Sequence, residues 1–248
     1  MDSLMGKMHL VKPPPYLTTA KFSGRSANWY RLGSSNWSGF ETKAASGNRY
    51  RSALGRWYEP HFYHSACRSN AEVTWVGLGG SARPRNVLGQ DGTAWHLQGV
   101  KLHQSWTELL PKQKTAIPQR IKATPGGLFE AYVKRYSGGF HFLLYNIYTG
   151  EGTTIDAPYS RYNGRTAEAI VERPTYVYSN GSTSLANLSN FRKLRFKGAW
   201  VNGSSASNRI GRYPHHKITM SSSRHVLSKP NNLYNGGKSF SVVQYHCR

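Results

Sequence analysis

Leu128-Phe129-Glu130-Ala131-Tyr132-Val133-Lys134-Arg135-Tyr136, followed by Ser137-Gly138-Gly139 and then by Phe140 to Tyr148, is the stretch that decides the fold class. In the first arm Phe129, Ala131 and Val133 alternate with Glu130, Tyr132 and Lys134, the period of a strand with one buried face. The Ser-Gly-Gly triplet turns the chain, and the second arm is rich in aromatic and β-forming residues, so the pair reads as a β-hairpin. Outward from it the same signals recur. Glu72 to Val76, Leu194 to Val201, Ile218 to Ser221 and Ser239 to Tyr245 read as strands, with Gly-, Ser- and Asn-rich turns between them. Thr149-Gly150-Glu151-Gly152 reads as the turn that closes the hairpin's second arm. The chain has 16 Tyr, 7 Trp and 25 Gly but only 18% charged residues, and it lacks sustained helical periodicity. These features predict an all-β protein, an antiparallel β-sandwich of jelly-roll type with two packed sheets. At 248 residues one such domain is an ordinary size. Residues 34–248 are assigned to it, and residues 1–33, with Pro13-Pro14-Pro15, to a leader or extended tail.

Charge is the second strong feature. Lys and Arg number 33 against 11 Asp and Glu, for a net charge of +22 and a pI near 10.2. The cations are spread along the chain, which disfavours a disordered nucleic-acid arm but leaves contact with nucleic acid or another anionic polymer open. Cys67 and Cys247 have neither a neighbouring Cys nor a His at zinc-ligand spacing, so no metal site is expected. Whether the two pair is left open. No apolar run reaches the length of a membrane span, and the first residues lack the apolar region of a signal peptide. His96 and His103 are read as structural.

Five short motifs punctuate the strands: Asn36-Trp37-Ser38-Gly39, Thr74-Trp75-Val76-Gly77-Leu78-Gly79-Gly80, Leu88-Gly89-Gln90-Asp91-Gly92, Ser105-Trp106-Thr107-Glu108 and Ala167-Glu168-Ala169-Ile170-Val171-Glu172. Their order and spacing resemble those of the glutamic peptidases (eqolisins), with a closing part similar to bacterial members. The resemblance implies a metal-free endopeptidase, without cofactor, acting on polypeptides, with an acid pH preference. It places Glu172 as general base and Gln90 as oxyanion stabiliser. It makes Trp75 and Trp106 cleft residues and Glu108 a supporting carboxylate. It also suggests export, and the chain is expected to act as a monomer.

Strand alternation, independently, puts Glu168 and Glu172 on one face, and Trp106 and Glu108 on one face. Glu168 is thereby the rival to Glu172, and a solvated strand face is the plainer alternative. The +22 field is expected to lower carboxylate pKa values and keep Glu172 a base in acid. Where the family pattern has an aspartate this chain has Gly79, while Gly89 and Thr107 are smaller than usual. These departures leave a catalytically degenerate sandwich that binds nucleic acid or an anionic polymer as the alternative function.

Overall fold

The computed structural model describes residues 8–9, 19–20, 29–45, 48–68, 70–80, 87–97, 101–112, 117–162, 164–177 and 182–248. Fourteen principal strands build two layers. They are β1 (Trp29–Ser34), β2 (Trp37–Lys43), β3 (Ser52–Tyr58), β4 (Asn70–Gly79), β5 (Leu88–Leu97), β6 (Lys101–Leu110), β7 (Leu128–Tyr136), β8 (Gly139–Asn146), β9 (Glu151–Pro158), β10 (Thr166–Glu172), β11 (Lys193–Val201), β12 (His215–Ser221), β13 (Val226–Pro230) and β14 (Phe240–Gln244).

Sheet 1 runs β1-β12-β2-β10-β4-β5-β6, antiparallel except for the parallel β1–β12 pair. Sheet 2 runs β9-β8-β7-β3-β11-β14-β13 and is antiparallel throughout. A β12–β13 pairing joins the layers along one edge, so hydrogen bonding is continuous from one sheet into the other. A small separate sheet pairs Met8–His9 with Thr175–Val177 and the latter with Thr183–Leu185. Among the described residues the only helical pieces are two single 3-10 turns, Ala206–Asn208 and Ile210–Arg212.

The hairpin forms as its alternation dictates. β7 and β8 pair from Phe129 opposite Asn146 to Tyr136 opposite Gly139. Phe129, Ala131 and Val133, with Phe140, Phe142 and Leu144, enter the core between the sheets, beside Trp57, Phe196 and Phe240. Truncating one such buried Phe to Ala costs about 3–5 kcal/mol. The strands that escaped the sequence reading include β1, β3, β5, β9 and β13. Glu151 and Gly152, expected in a turn, open β9, whose outward side is weakly apolar and partly exposed. Residues 29–34, counted largely with the leader, form β1, with Leu32 buried.

Two further points position the site. A second apolar cluster lies on the far side of sheet 1 and contains Trp37, Val73, Trp75, Trp106, Ile170 and Ile218. Both faces of sheet 1 are therefore covered. β10, held between β2 and β4, is buried at all seven positions, which overturns the solvated-face reading of Glu168 and Glu172. Cys67 and Cys247 form a disulfide, pinning the C-terminal segment to the loop before β4.

Candidate active site

The aromatic face of sheet 1 carries every expected site residue. Register follows from alternation: Trp75 on β4 lies between Ile170 on β10 and Gly92 on β5, and Gly92 faces Trp106 on β6. Two residues away in one direction, Val73 faces Glu172; two away in the other, Gly77 faces both Glu168 and Gln90. Gln90 in turn faces Glu108. Glu172 and Gln90 thus flank Trp75 on opposite sides, and the indole spans the gap. Its six-membered ring lies over Gly77, where an added Cβ would meet Cζ3 at 2.9 Å. Its Nε1–H donates to Glu172 Oε2 (2.9 Å).

The other oxygen of Glu172 is held too. Asn36 Nδ2–H donates to Oε1 (2.9 Å). The Asn36 amide is oriented by Ser34, whose hydroxyl donates to Asn36 Oδ1 (3.1 Å) and accepts from the Trp37 N–H (3.0 Å). Trp37 packs edge-on against Trp75, ring centroids 4.9 Å apart, and its side chain also approaches the carboxyl. Glu172 is 1% exposed. Burial pushes its pKa up to about 8, against the pull of its Trp75, Asn36 and Trp37 partners. The expectation that the basic field would hold this carboxyl low is therefore corrected: desolvation outweighs a field whose charges sit mostly at the solvated surface.

Gln90 is buried, and its Nε2–H donates to Glu108 Oε2 (2.6 Å). One N–H of the carboxamide nitrogen is thus used and the second remains. Gln90 Oε1 and Trp106 Nε1 are buried without a hydrogen-bond partner among the described residues. Glu168 keeps different company. It faces Glu41, which accepts from or donates to His216 Nδ1 at 2.9 Å depending on protonation. Burial, then Glu41, raises the Glu168 pKa.

Sequence reasoning missed Asn36, Trp37 and Ser34 as functional residues, although Asn36-Trp37-Ser38-Gly39 stood out as a motif. The needed signal was pairing: β2 brings Trp37 opposite Glu172, which no local pattern announces. His103 packs on Trp95 and Phe62 (centroids 4.1 and 5.3 Å), and burial lowers its pKa to about 4. The side chain of His96 lies outside the described residues. No group of His, Cys, Asp and Glu among the described residues could hold a metal ion.

The three departures from the family pattern have physical reasons. Gly79 ends β4 at φ +99°, and a Cβ there would sit 1.9 Å from the Val87 carbonyl oxygen. A Cβ on Gly89 would lie 2.8 Å from the Phe140 ring, so this glycine admits the core aromatic rather than loosening Gln90. Thr107 points inward, donating to Asp91 Oδ1 (2.8 Å) and accepting from Gln119 Nε2 (2.8 Å).

On this β-sandwich one sheet face thus carries a carboxyl held on both oxygens and a glutamine held by a second carboxyl. Residues 35–235 match the Peptidase A4 family, so the chain belongs to that family, the glutamic peptidases, and its substrate is polypeptide. Solved structures agree in fold. Scytalido-glutamic peptidase, determined with a peptide-based transition-state analogue, aligns over 85% of this chain and 98% of its own at 18% identity and a TM-score of 0.70. SCP-B, an eqolisin determined with the tripeptide Ala-Ile-His, covers the same shares at 18% identity and a TM-score of 0.67. Aspergilloglutamic peptidase from Aspergillus niger aligns over 71% of this chain and 99% of its own at 17% identity, with a TM-score of 0.53. A comparison with curated protein sequences gave no match.

Proposed function

We infer that this glutamic peptidase cleaves internal peptide bonds with Glu172 as general base and then acid, and Gln90 as oxyanion donor, at acid pH. The observation that carries the assignment is the pair of N–H donors on the two Glu172 oxygens. Donors on both sides favour the anion, the state that takes a proton from water. Burial opposes that role, because a carboxyl raised to about 8 is protonated in acid; acting as base therefore requires Glu172 to ionise when water and substrate enter the site. The proton taken up then passes to the leaving nitrogen.

Gln90 supplies a neutral N–H that keeps its proton at any working pH, and Glu108 fixes its orientation. The unpartnered Trp106 Nε1–H and Gln90 Oε1 offer one donor and one acceptor to the substrate's peptide groups. Glu168, beside buried Glu41, fits a supporting role. An acid working range suits the fold, because Glu59, Glu72, Asp91 and Glu168 are all raised, chiefly by burial, and are neutral in acid.

The test is cleavage of an unfolded protein from about pH 2 to 8 by wild type, Glu172→Gln, Glu168→Gln and Gln90→Ala, with and without a chelator. Expected are abolished turnover in Glu172→Gln, a loss of about 10²–10³ in kcat for Gln90→Ala, retained turnover in Glu168→Gln and indifference to chelator. Abolition in Glu168→Gln with turnover kept in Glu172→Gln would reassign the base.

A further inference from the structure

We propose that the outer face of sheet 2, on the side of the sandwich away from Glu172, binds single-stranded nucleic acid through phosphate contacts and base stacking. The site is built by β11 and β3. In β11 Leu194 and Phe196 enter the core, so Lys193, Arg195 and Lys197 are turned to solvent and are exposed. Arg195 lies opposite Tyr58, and the charged ends of Arg195 and Lys197 each stand 5.9 Å from the centre of that ring. One step along, Arg56 and Lys238 each stand 5.7 Å from the Trp200 ring. Trp200 lies flat on Gly198, where an added Cβ would meet its Cη2 at 2.1 Å. Tyr148, 63% exposed, reaches the Tyr58 hydroxyl and extends the aromatic surface.

Cation–π contact alone does not account for this pattern. One cation satisfies a ring, yet here two share each ring, and like charges this close repel within a Debye length. The carboxylate among these pairs, Glu130, is engaged by Arg56. An anion laid along β11 relieves the repulsion. Its chemistry is narrowed by three observations. The cations recur at every second residue along a strand, a spacing of about 6.7 Å that suits a repeating linear polyanion. Two rings lie beside them, Tyr58, partly exposed, and Tyr148, exposed, giving base-stacking platforms of the kind that hold single strands on a sheet, while Trp200 is buried beneath its cations. Phosphodiesters also stay ionised in acid, where carboxylate polymers lose their charge.

The test measures fluorescence anisotropy of a labelled oligothymidylate of about twenty nucleotides across a salt series. It uses the Glu172→Gln protein, so that the outcome does not depend on catalysis. With Arg56 paired to Glu130, the four remaining cations, Lys193, Arg195, Lys197 and Lys238, predict a slope of log K against log salt near −3, and Arg195→Ala/Lys197→Ala should bring it to about −1.4 with at least roughly tenfold weaker binding. Tyr148→Ala should weaken binding about fivefold with the slope unchanged. Arg49→Ala/Arg51→Ala, which removes exposed cations elsewhere, should change little. Unaltered binding in Arg195→Ala/Lys197→Ala would overturn the proposal. Equal competition by polyglutamate or a sulfated polysaccharide, with no effect of Tyr148→Ala, would overturn the nucleic-acid assignment in favour of a charge-only surface. Circular dichroism, and peptide cleavage by the same substitutions in the Glu172 background, should match the parent protein and so exclude misfolding.

Discussion

Gly79→Asp, the substitution that restores the family's acid, should damage this protein rather than improve it. The backbone at residue 79 has φ +99°, a region that L side chains avoid at a cost of about 1–3 kcal/mol. Space is the harder problem. A Cβ would approach the Val87 carbonyl oxygen to 1.9 Å, far inside contact, and the obstruction is backbone rather than a side chain that can swing away. Relief requires parting the ends of β4 and β5. That movement breaks the Gly80 N–H to Val87 oxygen bond (2.9 Å) and disturbs the Thr166 hydroxyl donated to the Gly79 carbonyl (2.6 Å). Each broken buried bond adds about 1 kcal/mol or more. A total near 4 kcal/mol corresponds to a fall in Tm of about 10 °C for a chain of this size. Differential scanning calorimetry of wild type, Gly79→Ala and Gly79→Asp gives the answer, with cleavage assayed in parallel. Both variants should fall by similar amounts, because the Cβ is the source of the strain, and neither should gain activity. An unchanged Tm with higher kcat/KM in Gly79→Asp would refute the steric reasoning.

Other expectations follow from the same structure. Trp75→Phe removes one N–H from Glu172 while keeping the aromatic floor; kcat should drop roughly ten- to a hundredfold with little change in KM, and an equal rise in KM would refute a role at the carboxyl. Glu59 is raised to about 7 and Asp91 to about 8 by burial, so their folded-state values lie above the unfolded ones. Their contribution to stability is whole below about pH 4 and is lost as pH climbs through 7 to 8; denaturant midpoints should decline over that range, and Asp91→Asn should flatten the decline. Replacing Cys67 and Cys247 with Ser opens a covalent loop of sequence separation 180, an entropic loss of up to about 5 kcal/mol, which urea unfolding of the double variant measures.

What could be read from the chain was whatever alternation and turn chemistry encode. The β7–β8 hairpin announced itself because its buried side is aromatic and branched and its turn is Ser-Gly-Gly. β9 did not, because Thr153, Thr154 and Asp156 give an edge strand little apolar contrast. The position of Glu172 was legible from its motif, but its partners were not. Asn36 lies 136 residues away and Trp75 lies 97 residues away. Non-local pairings of this kind are set by sheet order, which a period-two pattern leaves open. The burial of β10 was hidden for the same reason: two covered faces require the second apolar cluster, assembled from all seven strands of sheet 1.

The same alternation explains how one sheet can serve two chemistries. In Gln90-Asp91 and in Trp106-Thr107-Glu108, odd and even residues face opposite ways. Gln90 and Glu108 meet on the aromatic face at 2.6 Å, and Asp91 and Thr107 meet on the core side at 2.8 Å. On that core side Gln119 extends the chain, donating to Thr107 and accepting from Thr153 of β9, so the strands carrying Gln90 and Glu108 are bonded through the interior to sheet 2. Nearby, Thr93 donates to Glu59 (2.7 Å), and Trp57 of β3 donates to both residues. Polar bonds inside an apolar core fix direction as well as distance, which apolar packing alone does less sharply. In the proposed role Gln90 aims one N–H at a point defined to within about half an ångström, because larger errors cost catalysis steeply. Its neighbour Asp91 and the strand carrying Glu108 are anchored one residue away by bonds on the opposite face. The interior network therefore belongs to the site's rigidity, and Thr107→Val, nearly isosteric and remote from substrate, should lower kcat while leaving KM near wild type. A parallel drop in Tm alone, with kcat intact, would reduce the network to a stabilising role.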